Sequence, residues 1–453
     1  MRYKVNTFNC LLIIALLVFS SVGHAGTGVA IDPDKAQAYT PAPENLKARE
    51  RFQDNKFGIF LHWGLYSQLG GVGSPYGAEW IMEDLRISGP KYQRLAEFFN
   101  PTGFDAEQWV KAFKDAGAKY IVITSKHHDG FSMYDSKVSN FDIVDSTPYK
   151  KDPIKELANS AQKHGLQLFF YYSQLDWHHP DYYPWGRTGH YTKREKSGDW
   201  AKYLQFQDAQ LKELLTQYGP IGGIWFDGWW DQEDSHNWDN WQLQRTYKMI
   251  HELQPATLIV NNHHRFTVPG EDYQGFEQQL PTNQERLGKL PLEMAQTMNG
   301  SWGFSLTDDN YKTTKELVQT LVSAAGRNAN YLLNTGPMPN GKIQPENLKT
   351  FAEIGQWLKV FGKSIYGTRG GPISPQNWGV STHNNESIFI HILNWQADTL
   401  SIELATPIKS ATNLKTSKPV NFKQLEGVIT LENLTFDNEE YVQVIELTLK
   451  PND

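Results

Sequence analysis

Gly222-Gly223-Ile224-Trp225-Phe226-Asp227-Gly228-Trp229-Trp230 reads as a short apolar strand that stops on a carboxylate. A carboxylate at such a place is costly unless it is hydrogen-bonded or used, so Asp227 is a functional candidate. Capping of the next turn is its plainer use. Side chains alternate along a strand, so Trp225 and Asp227 share a face and can wall one pocket. On either side of this stretch the same unit recurs. Segments 105–116, 152–165, 200–218, 313–325 and 345–361 carry helical patterns, as does 247–253 at the end of a further helix, and apolar runs 57–62, 119–124, 166–172, 257–261 and 330–334 alternate with them. Asp105 can cap its helix, and Asp152-Pro153 opens another.

Strand–helix alternation from about residue 50 to 360 fits a closed (β/α)8-like barrel or an open doubly wound sheet. No Gly-x-Gly-x-x-Gly follows an early strand, which removes the main support for a dinucleotide fold. His62, His127, His128, Tyr172, Asp227 and Asn261 fall at or just past strand ends. In a barrel those ends converge on one mouth, where active sites are built. Region 262–312 offers no regular pattern. After the turn-rich linker 366–372, short β-rich runs at 387–393, 399–404, 428–431 and 441–449 predict a small C-terminal β-sandwich. The expected organisation is a signal peptide over 1–25, a catalytic barrel over 26–365 and a sandwich over 373–453 that buttresses the barrel.

A net charge of −7 and the lack of Lys/Arg runs argue against nucleic acid as the partner. The 15 Trp exceed what a core requires, as a sugar-binding cleft or an aromatic-rich core would explain. Arg2 and Lys4 precede the apolar run Leu11 to Val18, and Val22-Gly23-His24-Ala25 ends in small residues, the make-up of an export signal. That run is too short to span a membrane. Cys10 is the single cysteine, so a mature chain starting near Gly26 has no disulfide and no cysteine-based zinc site; a bacterial periplasm, cell surface or exterior suits it.

His127-His128, His178-His179 and His263-His264 are adjacent pairs without the four-residue spacing of a zinc helix. Hydrogen bonding to sugar hydroxyls is the better use of imidazole here, with His178 and His179 as structural residues. No metal or other cofactor is expected.

Several segments resemble the landmarks of the α-L-fucosidases of glycoside hydrolase family 29. They are Phe57-Gly58-Ile59-Phe60-Leu61-His62-Trp63-Gly64, Gly77-Ala78-Glu79-Trp80, Lys126-His127-His128-Asp129-Gly130-Phe131 and Tyr171-Tyr172-Ser173. Ile224-Trp225-Phe226-Asp227-Gly228, Ser301-Trp302-Gly303-Phe304, Leu332-Leu333-Asn334-Thr335-Gly336-Pro337 and Ile365-Tyr366-Gly367-Thr368-Arg369 continue the series in order. The resemblance implies a barrel with a C-terminal sandwich and a retaining double displacement on a fucosylated oligosaccharide, glycoprotein or fucan. It implies Asp227 as nucleophile, and His62, Glu79, Trp80, His127, His128, Tyr172, Trp225 and Arg265 as substrate-binding residues. The second carboxyl is favoured at Glu277, ahead of Glu293 and then Glu285. A hydrolase of α-L-galactosides and a non-catalytic fucose-binding protein are the competing expectations.

Overall fold

The computed structural model describes residues 39–232, 238–263, 267–282, 288–395, 397–435 and 440–451. The expected signal peptide, Cys10, Arg265 and Glu285 lie outside them. Eight parallel strands close into a barrel in sequence order. They are β1 (Phe57–Leu61), β2 (Tyr120–Lys126), β3 (Gln167–Ser173), β4 (Gly223–Asp227), β5 (Leu258–Asn261), β6 (Tyr273–Glu277), β7 (Leu292–Thr297) and β8 (Ala329–Thr335). Closure is made by β8 pairing with β1, Gly58 opposite Leu332.

The helices follow their local chemistry. α1 (Pro43–Asn55) precedes the barrel, and the short α2 (Ile81–Asp84) and α3 (Gly89–Gln93) lie in the long β1–β2 connection. α4 (Ala106–Asp115), α5 (Pro153–His164) and α6 (Trp200–Gln217) start at Asp105, Asp152 and Asp199, whose side chains accept the orphan N–H groups of their first turns. α7 (Leu243–Leu253) leads into β5. α8 (Thr314–Gly326) opens on a reciprocal capping box between Thr313 and Glu316, and α9 (Pro345–Phe361) carries Pro at its first turn. The region without a sequence pattern holds β6 and β7, joined to β5 and to each other with no helix among the described residues. Without intervening helices there was no change of period to reveal those strands.

Aromatic rings fill the barrel. Phe52 of α1 closes the bottom against Tyr120, Phe169 and Tyr273 at ring separations of 5.5, 6.0 and 4.5 Å. Gly58 and Gly223 make room for this layer: a Cβ on either would sit 2.5 Å from the Tyr120 ring or 2.4 Å from the Phe169 ring.

Beyond the barrel lie two antiparallel sheets. The larger has the order β13-β16-β11-β10-β9 and the smaller β12-β15-β14. The strands are β9 (Arg369–Gly370), β10 (Gly379–His383), β11 (Ser387–Ile392), β12 (Leu400–Glu403), β13 (Ile408–Asn413), β14 (Asn421–Leu425), β15 (Val428–Glu432) and β16 (Gln443–Leu449). Ile388, Ile390 and Ile392 pack with Leu400, Ile402, Ile429 and Leu431 between the sheets, which makes a sandwich. The opposite face of the larger sheet, with Val380, Phe389 and Val444, joins the barrel's own core. Contact with α8 is close enough that a Cβ on Gly326 would stand 2.4 Å from Val380.

Candidate active site

At the carboxyl end of the barrel a pocket of about 160 Å³ is lined by side chains from β1, β3, β4 and β6 and from the connections that follow β1, β2, β4, β5 and β7. Two larger grooves, of about 380 and 430 Å³, lie away from it, beside α7 and at the opposite end of the barrel. Neither holds a pair of carboxyls, so size is a poor guide to the chemistry here.

Asp227 ends β4 and faces the pocket. Its Oδ2 accepts the Tyr171 hydroxyl at 2.7 Å, and its Oδ1 accepts Gly228 N–H at 2.6 Å and the Trp230 indole N–H at 3.2 Å. The turn-capping role and the functional one therefore coexist. Three donors fix the carboxylate while one edge reaches the cavity. Glu277 ends β6 and faces the same cavity, where Asn262 Nδ2 donates to its Oε1 at 2.9 Å. Burial, helped by the charge of Asp227, pushes the Glu277 carboxyl up to about 7.

His62 Nδ1 lies 2.7 Å from Asn334 Oδ1, and an amide oxygen only accepts, so Nδ1 carries the proton. His128 Nδ1 lies 2.7 Å from Ser173 Oγ, whose own proton goes to Leu175 O. Burial lowers His62 to about 3 and His128 to about 4. Both rings are thus neutral, with Nε2 of His62 left as a hydrogen-bond acceptor and Nε2 of His128 standing 3.6 Å from Asp227 Oδ2. His127 is pushed well below its ordinary value by burial, and its Nδ1 has no partner among the described residues. Glu79 Oε2 accepts Gly303 N–H at 2.9 Å, its Oε1 is unpartnered, and burial raises its carboxyl to about 7. These buried, unpaired polar atoms are what a polyhydroxy ligand would satisfy.

Adjacent histidines on a strand would face opposite ways, yet His127 and His128 both line the cavity. They lie past the end of β2, in a turn closed by Gly130 N–H to His127 O at 3.1 Å, with Gly130 at φ +78. Trp225 lines the pocket on the face shared with Asp227. Trp80 also lines it, stacked on Trp230 at 5.6 Å.

Tyr172 does not face the cavity. Its hydroxyl donates to Gln210 of α6 at 2.9 Å, and Tyr171 holds the inward position. The register pairs Tyr171 with Trp225, and strands buried on both faces carry no alternation to reveal that parity. The same one-residue offset separates Asn261, bonded to Glu271, from Asn262, which lines the pocket. Phe60 and Trp302 complete the wall and stood within recognised segments without being singled out. His178 stacks on Phe141 and His179 packs against Phe206, outside the pocket. His263 bonds Glu271 at 2.7 Å. Glu293, the second choice for the acid, is wholly buried and absent from the lining.

Paired carboxyls in a pocket of aromatic rings and neutral histidines, at the carboxyl end of a barrel, define a glycosidase site. The α-L-fucosidase family model matches residues 29–363. Human tissue α-L-fucosidase is 28% identical over 409 residues, covering 83% of this chain and 82% of its own. The structure of α-L-fucosidase isoenzyme 1 from Paenibacillus thiaminolyticus is 34% identical, with a TM-score of 0.80 over 90% of this chain and all of the other. A Bacteroides thetaiotaomicron GH29 α-L-fucosidase, solved as a covalent intermediate trapped with 2-fluoro-fucosyl fluoride, is 28% identical, with a TM-score of 0.81 over 92% and 98% of the two chains. The chain belongs to the α-L-fucosidase family.

Proposed function

We propose that the chain is a retaining exo-glycosidase that removes terminal α-L-fucosyl residues, with Asp227 as nucleophile and Glu277 as acid/base. The observation that carries these roles is the asymmetry of two carboxyls in one cavity. Three donors hold Asp227 as an acceptor, while Glu277 is kept near 7 by burial and by its neighbour's charge. Asp227 attacks the anomeric carbon as the glycosidic bond breaks, and Glu277 gives its proton to the departing oxygen. The sugar is then esterified to Asp227. Glu277, now ionised, takes a proton from water, whose oxygen attacks the same carbon and frees Asp227.

His62, Glu79, His127 and His128 supply hydrogen bonds to hydroxyls, and Trp80, Trp225 and Trp302 the surface for the apolar face and methyl group. At about 160 Å³ the cavity is smaller than the ~300–1,000 Å³ typical of drug-sized sites, which suits a single terminal ring. A metal held by His127, His128 and Asp227, whose ligand atoms lie within 4.8 Å of one another, would compete with the hydrogen bond that the Tyr171 hydroxyl already donates to Asp227. Export follows from the N-terminal signal reading, with fucosylated oligosaccharide, glycoprotein or fucan met outside the cytoplasm.

The test compares aryl α-L-fucoside with aryl α-L-galactoside, which adds one hydroxyl. An apolar wall discriminates modestly against an added hydroxyl, so kcat/KM is expected to favour the fucoside by roughly 10–100-fold. Faster turnover of the galactoside overturns the substrate assignment, and hydrolysis of neither supports a fucose-binding protein instead.

Asn262 opposes the rise of the Glu277 carboxyl that burial and the charge of Asp227 cause. Its donation favours the ionised form, so Asn262→Ala is expected to move the alkaline limb of kcat/KM to higher pH, by roughly half a unit to one unit. A limb that stays in place, or moves down, refutes that coupling.

A further inference from the structure

Glu293 is wholly buried inside the barrel, where branched apolar side chains ordinarily fill such layers. A carboxyl there is strongly disfavoured unless its oxygens are satisfied. Both oxygens are taken by neutral donors: Oε2 accepts the Tyr120 hydroxyl at 2.5 Å and Oε1 accepts the Trp225 indole N–H at 2.9 Å. Neither oxygen faces the sugar, since Glu293 is absent from the pocket lining, although burial raises this carboxyl to about 7 as well. Of the two donors, Trp225 is the one whose ring lines the sugar pocket.

An indole N–H can only donate, so a buried tryptophan takes the orientation that brings it to an acceptor. Here the acceptor fixes a ring that stacks on Tyr171 at 5.8 Å and 18° and leans on Phe60 at 5.2 Å. Tyr171 in turn donates to Asp227 at 2.7 Å. One buried carboxyl thus steadies the floor of the pocket and, through one more ring, the group that holds the nucleophile.

We infer that Glu293 is a positioning residue, whose carboxyl sets the orientation of the Trp225 indole beneath the bound sugar through the Nε1–H···Oε1 bond. The inference rests on the pocket receiving fucose as proposed above. It excludes Glu293 as the acid/base, since a group engaged below the ring has no path to the glycosidic oxygen.

The experiment is a double-mutant cycle on the full chain with an aryl α-L-fucoside, using Glu293→Gln, Trp225→Phe and the pair. Glu293→Gln keeps the shape but places an amide where two donors point. It is expected to raise KM, and the inhibition constant of free fucose, by about tenfold, with kcat changed less and the alkaline limb of kcat/KM unmoved. Trp225→Phe removes the N–H together with the five-membered half of the indole and is expected to give at least as large a rise. In the Trp225→Phe background, Glu293→Gln is then expected to change KM less than about twofold.

Additive effects in the cycle overturn the inference, because a general loss of barrel packing would not depend on the indole N–H. An unchanged KM in Trp225→Phe overturns it too, whether or not Glu293→Gln folds. Azide acceleration of Glu293→Ala would also overturn it, by making Glu293 the acid/base. The proposed function fails separately, through absence of azide rescue in Glu277→Ala or absence of fucoside hydrolysis in the unaltered chain.

Discussion

Asp227→Ala is expected to abolish turnover of an aryl α-L-fucoside, lowering kcat by about 10⁴-fold or more, as removal of a nucleophile does elsewhere. The geometry makes the loss specific. Asp227 accepts hydrogen bonds from Tyr171, Gly228 and Trp230, all at its own end of the pocket, while His62, Glu79 and His127 bind from other elements. Fucose affinity measured by calorimetry is therefore expected to survive the substitution. Added azide should restore turnover and give the inverted β-L-fucosyl azide, because the anion enters from the face the carboxylate vacated. A variant that turns over normally, or a rescue product of retained configuration, removes Asp227 from the nucleophile's role.

Glu277→Ala is expected to cost about 10²–10⁴-fold on substrates with poor leaving groups, and far less on an activated aryl fucoside, whose departing oxygen needs little protonation. Azide should accelerate this variant on the activated substrate and yield the retained α-L-fucosyl azide, formed from the intermediate on Asp227. The acid must carry a proton before the first step. With Glu277 near 7, kcat/KM of the unaltered protein is expected to hold below that pH and fall as pH rises through it. The same shift bears on stability. A carboxyl whose folded value is raised binds its proton more tightly in the native state, so its contribution is full below the unfolded value near 4.3 and lost as pH rises through 7. Glu277→Gln removes that pH dependence: Tm should exceed that of the unaltered protein at pH 8, and the excess should shrink steadily with falling pH and vanish below about pH 4. Wild-type kinetics of Glu277→Ala on a poor leaving group would refute the acid/base assignment.

The difference between the two carboxyls was visible in part before any tertiary structure. Asp227 closes an apolar strand of ordinary pattern, and its neighbours Trp225 and Trp230 line the same pocket. Glu277 closes β6, a five-residue strand entered and left by loops, in the region without periodicity. Capping residues marked α4 and α5 correctly because a cap is a local bargain between one side chain and the nearest N–H groups. The edge strands of the sandwich were less legible: β14 alternates only between exposed and half-buried residues, and its place comes from pairing with β15.

At Asp227, then, the local sequence was enough to mark a strand end with an aromatic surround, because strand termination and side-chain alternation act within a few residues. Which tyrosine of Tyr171 and Tyr172, and which asparagine of Asn261 and Asn262, turns inward was settled by strand register around the closed barrel. Both faces of those strands are buried, so composition is the same on either side and no local signal remains. The division of work between Glu277 and Glu293 was likewise tertiary. Both are glutamates on inner strands with carboxyls raised to about 7 by burial, and only the contacts brought from Asn262, Tyr120 and Trp225 make one face the sugar and the other hold the ring beneath it.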